Sequence, residues 1–346
     1  MGFRSALWSL ITSGCYASVA VVSLAVVALY LKQDNLLYHP SIQNLPLSPQ
    51  KNPAGFRSPL EYGIPFSSLK IPTTDNIEIH AWLLLHPDSL TSRRPTIIFF
   101  HGNAGNIGFR LPNAQQMYQL GYNIMQVEYR AFGDSDQSKP PSEEGLRRDA
   151  EASINWIMNH GQIDKSRVFL FGRSLGGAVA FHLAKYCDEN SIPLAGVIVE
   201  NTFLSIGKMV DVLMPLVAPL KSLILRIGWD NELLVPQIKV PILFLSGGRD
   251  ELVPPFHMKR LYELATQSEK AVFYEVKDGT HNDTWQRGGR SYWEAFEAFV
   301  TAAVGAAQLP SSSKRNVQKV AMGVPMIPTM SNKFGDIARE GLKKEL

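Results

Sequence analysis

Hydrophobic and polar positions fall into three regimes along the chain. From Ser5 to Leu31 no charged residue occurs, and apolar density peaks over Cys15 to Leu31. As an α-helix this stretch would be about 40 Å long, against a hydrocarbon core of about 30 Å. A cleaved signal has an apolar region of only about 7–15 residues behind a basic start, and here the basic start is Arg4 alone. The pattern predicts an uncleaved anchor over residues 1–31, in preference to a cleaved signal or a core helix. Its orientation is open, because Arg4 and Lys32 flank it almost symmetrically.

Residues 32–76 are Pro-rich and irregular and read as a juxtamembrane stalk. Regular alternation then begins. Strands are predicted at Ile77–Leu83, Thr96–Phe100, Asn123–Tyr129, Arg167–Phe171, Gly196–Glu200, Val240–Leu245 and Ala271–Val276. The unbroken apolar runs are those of strands buried on both faces. Helices are predicted near Pro112–Leu120, from Ser142 (as a capping box) to about His160, after Gly177, and over Ser291–Val304. Strands alternating with helices predict an α/β domain over 77–304, with a doubly wound, mostly parallel sheet.

One interval breaks this rhythm. Residues 202–239 separate two strands with Met- and Pro-interrupted apolar sequence, longer than a short connection requires. It reads as a helical cap with an apolar inner face, or as a crossover helix with a long loop. Residues 305–346 show no period and read as a disordered tail. They hold seven Lys/Arg and three Asp/Glu, more than the net charge of +3 on the whole chain. The folded part is thus nearly neutral and lacks the basic face of a nucleic-acid binder. Cys15 and Cys187 lie far apart in the pattern, so no disulfide framework is implied.

The candidate chemistry centres on Gly172-Arg173-Ser174-Leu175-Gly176-Gly177, between an apolar strand and an Ala-rich helix. Strand, sharp turn and helix form the context of a nucleophile elbow. The alternative is an ordinary helix N-cap. A serine hydroxyl needs a base, and the base needs an orienting acid. Only His257 and His281 follow the elbow helix. His281 lies just past the final strand, at the sheet edge where such folds bind ligands. His257 reads as a surface residue. Asp250 directly follows the Val240–Leu245 strand and is the predicted acid, with Glu200 as second choice. The developing oxyanion needs donors. The N–H of Leu175 and that of Asn103, in the loop His101-Gly102-Asn103-Ala104-Gly105-Asn106, are the candidates, with Ala104 second. Arg173 is expected to pair with a carboxylate, and Trp285 to pack. No phosphate loop, H-E-x-x-H or paired C-x-x-C occurs, so no cofactor or metal is implied.

Taken together, Phe100–Ile107, Gly172–Gly177, Glu200–Phe203, Pro254–Met258 and Thr280–Trp285 resemble the Bem-type membrane-anchored α/β-hydrolases, which include the plant wavy-growth proteins. The resemblance runs from the anchor to about residue 304. It implies an α/β-hydrolase fold and a serine hydrolase triad at Ser174, Asp250 and His281. More distantly, the chain resembles protein depalmitoylases. The expected activity is hydrolysis of an ester or thioester in a lipid or fatty-acylated protein, beside the lipid bilayer. The alternative is a non-catalytic membrane scaffold in cell polarity. The expected location is a single-pass position in the endoplasmic reticulum or plasma membrane. The terminus Lys343-Lys344-Glu345-Leu346 reads as a lumenal retention signal, a cytosolic dilysine signal or chance.

Overall fold

A computed structural model describes residues 2–88 and 90–305. The readings of residues 306–346, including the terminal tetrapeptide, lie outside the described residues. In chain order the strands are β1 (Ser67–Pro72), β2 (Glu78–Leu84), β3 (Thr96–Phe100), β4 (Asn123–Glu128), β5 (Val168–Arg173), β6 (Gly196–Glu200), β7 (Ile242–Gly247) and β8 (Ala271–Val276). The α-helices are α1 (Gly2–Leu37), α2 (Leu111–Gln119), α3 (Glu143–Asn159), α4 (Leu175–Glu189), α5 (Ile206–Leu213), α6 (Lys221–Ile224), α7 (Asn231–Leu234), α8 (Phe256–Leu264), α9 (Thr284–Arg287) and α10 (Gly289–Val304).

The strands form one eight-stranded sheet in the order β1-β2-β4-β3-β5-β6-β7-β8. β1 and β2 run antiparallel to their neighbours, and the other pairs are parallel. Period-2 alternation sends side chains to two cores. Ile98, Phe100, Leu170, Val199 and Phe244 face α3, α4 and α8. Ile97, Phe99, Phe171, Ile198 and Leu245 face α2 and α10. Each fully buried side chain of this size contributes about 1.5–3 kcal/mol through removal from water. The order reverses at β3: the chain steps outward to β4, then crosses to β5 on the other side. Such a reversal opens a crevice at the carboxyl ends of the strands.

Three sequence expectations change. First, the segment read as a stalk belongs in part to the folded domain. Ser67–Pro72 pairs with β2 as the sheet's edge strand, and Tyr38, Ile64 and Ile71 are buried. The helix begun in the apolar segment continues to Leu37. Second, Ser142 Oγ accepts from the Gly145 N–H at 3.1 Å, but residue 145 is glycine, so the reciprocal half of a capping box has no side chain to form it. Third, the apolar residues of the 202–239 insertion divide. Ile224, Ile227 and Trp229 turn inward, whereas Leu213, Leu216 and Leu223 are exposed.

The segment Thr12–Leu37 of α1 is long and apolar enough to cross a membrane by length and composition, and its apolar window is not buried within the protein. The end of α1 grips the insertion. Gln33 Oε1 accepts from the N–H groups of Arg226 (2.9 Å) and Ile227 (3.1 Å), and Gln33 Nε2 donates to the Ile224 carbonyl at 3.1 Å. Asp34 pairs with Arg226. One residue past the helix, the Tyr38 hydroxyl accepts from Trp229 Nε1 at 2.9 Å, and burial pushes its pKa far up, so it stays neutral.

Candidate active site

Ser174 joins β5 to α4 with φ 53° and ψ −120°, a region that a residue with a Cβ occupies only under strain. The turn is held on three sides. The Ser174 N–H donates to the Glu200 carbonyl at 2.9 Å. The Ser174 carbonyl accepts from the Gly177 N–H at 2.9 Å and from Thr202 Oγ1 at 2.8 Å. The strand and helix approach too closely for side chains at the flanking glycines. A Cβ on Gly172 would sit 2.1 Å from the Gly176 carbonyl oxygen, and one on Gly176 would sit 2.1 Å from the Phe100 carbonyl oxygen.

Asp250 follows β7 and His281 follows β8, and parallel pairing of β7 with β8 brings the two turns together. His281 Nδ1 lies 2.8 Å from Asp250 Oδ2, and both residues are buried. The carboxylate accepts, so Nδ1 carries the proton and Nε2 is left as the basic nitrogen. The other carboxylate oxygen, Oδ1, accepts from the N–H groups of Leu252 (2.9 Å) and Val253 (2.8 Å), which fixes the plane of the acid.

The other candidates do different work. Glu200 is fully buried, pairs with Arg173 and accepts from the Tyr292 hydroxyl at 2.5 Å; it does not reach His281. Arg173 thus has the carboxylate partner its position predicts, and it also donates to Asn113 Oδ1 at 3.2 Å. His257 is not a surface residue. It is fully buried, its Nδ1 accepts from the Leu204 N–H at 3.2 Å, and burial pushes it down to about 4. Trp285 packs edge-on against Trp293.

The loop after β3 reaches the serine. A Cβ on Gly102 would lie 3.7 Å from the Ser174 Cβ. The segment after α1 clamps this loop. The His39 N–H donates to the Asn103 carbonyl at 2.8 Å, the Gly105 N–H donates to the His39 carbonyl at 3.1 Å, and Asn103 Nδ2 donates to the Leu37 carbonyl at 2.9 Å. Arg110 holds the Ala104 carbonyl at 2.7 Å. The carbonyl and side chain of Asn103 are therefore both committed to the N-terminal segment. The N–H of Leu175, the first residue of α4, has no partner within the helix.

Two features escape the sequence reading. Asn201, at φ 50° directly after β6, ties three loops. Its Nδ2 donates to the carbonyls of Thr280 (3.1 Å) and His281 (3.0 Å) and to Thr284 Oγ1 (2.9 Å), and its Oδ1 accepts from the Gly247 N–H at 2.8 Å. An Asn directly after the buried strand Gly196–Glu200 is the signal, since Asn tolerates positive φ. The second is a serine–histidine–carboxylate chain away from Ser174. Ser68 Oγ lies 2.9 Å from His80 Nε2, and His80 Nδ1 lies 2.8 Å from Glu128 Oε2. Ser68 sits in a regular paired strand, without a strained turn or a following helix N-terminus. Glu128 also accepts from the N–H groups of Ile107 and Asp134, so this chain pins the sheet edge to its loops.

The fold, with its elbow serine at the switch point, defines an α/β-hydrolase. Residues 91–232 match the family model described as "Serine aminopeptidase, S33" (Hydrolase_4). The chain is 36% identical over 293 residues to "Alpha/beta hydrolase domain-containing protein WAV2" of Arabidopsis thaliana, covering 81% of this chain and 91% of that protein. It is 33% identical to "Protein bem46" of Schizosaccharomyces pombe, covering 86% and 95%. It is 36% identical to "Uncharacterized membrane protein YNL320W" of Saccharomyces cerevisiae, covering 85% and 98%. Among solved structures, the Pyrococcus furiosus esterase Pf2001 shares the fold, with a TM-score of 0.58 and 20% identity over 72% of this chain and 96% of that one. The chain belongs to the Bem-type α/β-hydrolase family, with WAV2 and bem46.

Proposed function

We propose that the protein is a membrane-anchored serine hydrolase that cleaves an ester or thioester through an acyl-enzyme. Ser174 attacks the carbonyl carbon, and Nε2 of His281 takes the hydroxyl proton. The tetrahedral intermediate collapses as that proton passes to the leaving alcohol or thiol. Water then attacks the acyl-serine with the same imidazole as base. Asp250 holds the Nδ1 tautomer and stabilises the imidazolium. The N–H groups of Leu175 and Asn103 receive the oxyanion.

The observation that carries this reading is the strained backbone at Ser174. A residue at φ 53° costs free energy on the order of 1–3 kcal/mol that an N-cap role does not require. The fixed Asp250–His281 pair at the same sheet edge supports it. The exposed apolar helix and the relative named as a membrane protein support anchoring through α1. A bilayer-side position makes acylated lipids or fatty-acylated proteins the favoured substrate class.

The test is a fluorophosphonate probe on the full chain, with the modified residue mapped by mass spectrometry. Adduct on Ser174 that is lost in Ser174→Ala is the expected result. Equal labelling of both proteins, or adduct on Ser68, overturns the assignment. A parallel panel of acyl esters, thioesters and aminoacyl amides then sets the class.

A further inference from the structure

Residues 212–223, at the tip of the insertion, form an apolar surface of a kind a soluble face does not carry. Leu216 is 94% exposed and Leu223 73% exposed, with Val212, Leu213 and Leu220 exposed beside them. Ser222 is the one exposed polar side chain in this stretch. Its one charged residue, Lys221, is neutralised by Asp211 through contacts of 2.5 and 2.6 Å, which close the base of the loop. Contiguous exposed apolar area free of charge marks an interaction surface rather than a hydrated one.

The position of this surface selects its occupant. Gln33 and Asp34 bind residues 224–227 directly, and the Tyr30 carbonyl accepts from Arg226 at 3.3 Å. Tyr30 and Leu31 close the uncharged run of α1, and both are exposed, as are Val27 and Leu24 above them. The insertion is thus fastened at the level where the apolar span ends. Its own apolar side chains continue that uncharged surface sideways.

We infer that the 212–223 tip seats in the bilayer interface beside α1, so that the domain holds the membrane at two points. The inference rests on the anchored reading above. Leu213, Leu216, Leu220 and Leu223 enter the acyl–headgroup boundary as an interfacial apolar face does. The Asp211–Lys221 and Asp34–Arg226 pairs lie on its aqueous side. Acyl substrates then approach the cleft from the lipid.

The test uses the full chain with Cys15→Ser, leaving Cys187, which is buried, in place. A single Leu216→Cys is labelled with an environment-sensitive nitrobenzoxadiazole dye in phosphatidylcholine vesicles. Arg290→Cys, exposed on α10 across the sheet, is the control. Nitroxide-labelled phosphatidylcholine should quench the Leu216 probe at least twofold more than the control. Equal quenching overturns the inference. A blue-shifted but unquenched Leu216 probe also overturns it, because a protein surface or second copy then covers the tip.

Leu213→Asp/Leu216→Asp/Leu223→Asp is the second arm. Turnover of a vesicle-packed acyl ester should fall at least tenfold, with turnover of a water-soluble short ester unchanged. Parallel loss of both, or loss of neither, overturns the inference. If the wild-type chain turns over no ester, the hydrolase reading fails, and the quenching experiment still decides the seat.

Discussion

Asn201 Nδ2 donates to the carbonyl of His281 at 3.0 Å, from the turn after β6, which is separated from the edge strand β8 by β7. The histidine loop is therefore held by a side chain reaching over the end of β7. Asn201→Ala removes four contacts at once. Thr280 and Thr284 still bond each other, whereas the buried Gly247 N–H and His281 carbonyl lose the partner that Asn201 gave them, at about 1–3 kcal/mol each. Asn201→Asp keeps the shape but sets a carboxylate against two carbonyl oxygens. Both variants should lower kcat, on the order of 10²-fold for a misplacement of 1 Å, with little change in KM. Steady-state kinetics on a soluble ester check this; unchanged kcat in both variants would remove the positioning role.

Asp250→Asn should be far more severe than its loss of charge alone implies. The amide can donate to Nδ1, which presents the wrong tautomer to Ser174. The expected fall in kcat is about 10⁴-fold, with melting temperature close to wild type because the Leu252 and Val253 N–H groups still have an acceptor. Kinetics and thermal unfolding measured on the same sample separate the two effects.

Gly176→Ala tests the elbow sterically. The added methyl would lie 2.1 Å from the Phe100 carbonyl, on a central strand that cannot move without its neighbours. Overpacking of this kind costs about 1–3 kcal/mol, and the upper end is expected where backbone must shift. Chemical denaturation should show that loss, together with lost probe labelling at Ser174. Retention of both would show that α4 can withdraw from β3.

Acid sensitivity follows from the buried histidines. Burial pushes His257 down to about 4 and, with nearby Arg110, His101 down to about 3. In the unfolded chain both take up a proton near pH 6.5. Below that pH the unfolded state binds more protons, so stability is lost as pH falls from about 6.5 towards 4. The slope is up to about 1.4 kcal/mol per pH unit for each histidine. His257→Asn, whose Oδ1 can still accept from Leu204, should flatten this limb. An unchanged slope in pH-dependent denaturation would contradict it.

Truncation should distinguish anchor from clamp. A chain beginning at Lys32 keeps the His39 and Leu37 contacts to Asn103. It should turn over a soluble short ester at near-normal kcat in detergent. A chain beginning at Ser41 loses the bonds that fix the Asn103 and Gly105 backbone. Its kcat should fall at least tenfold with the fold retained. Equal activity of the two chains would show that the loop keeps its shape unaided.

Seven of the eight strands are legible in the sequence because each is a compact apolar or alternating run. β1 is not, since its Ser67-Ser68-Leu69-Lys70-Ile71-Pro72 sequence buries only Ile71 and reads as part of the Pro-rich segment before it. Ser174 is legible as a candidate because it directly follows a recognisable strand, and Asp250 and His281 because each lies in the loop just beyond one. The clamp at residues 37–39 is not, because its bonds cross more than 60 positions and leave no periodic trace. His257 misleads because a helix start after Pro254-Pro255 looks like a surface turn, whereas the contact that buries it, to the Leu204 N–H, is distant in sequence.

α1 runs without a break from its apolar stretch to Leu37 and is gripped by the insertion at Gln33. No swivel separates the span from the cleft. On the anchored reading, the reacting serine travels at a fixed height over the lipid, like a reading head over a track. Reach would then screen substrates before shape does, and acyl groups carried higher or lower than that height would go untouched however well they fit.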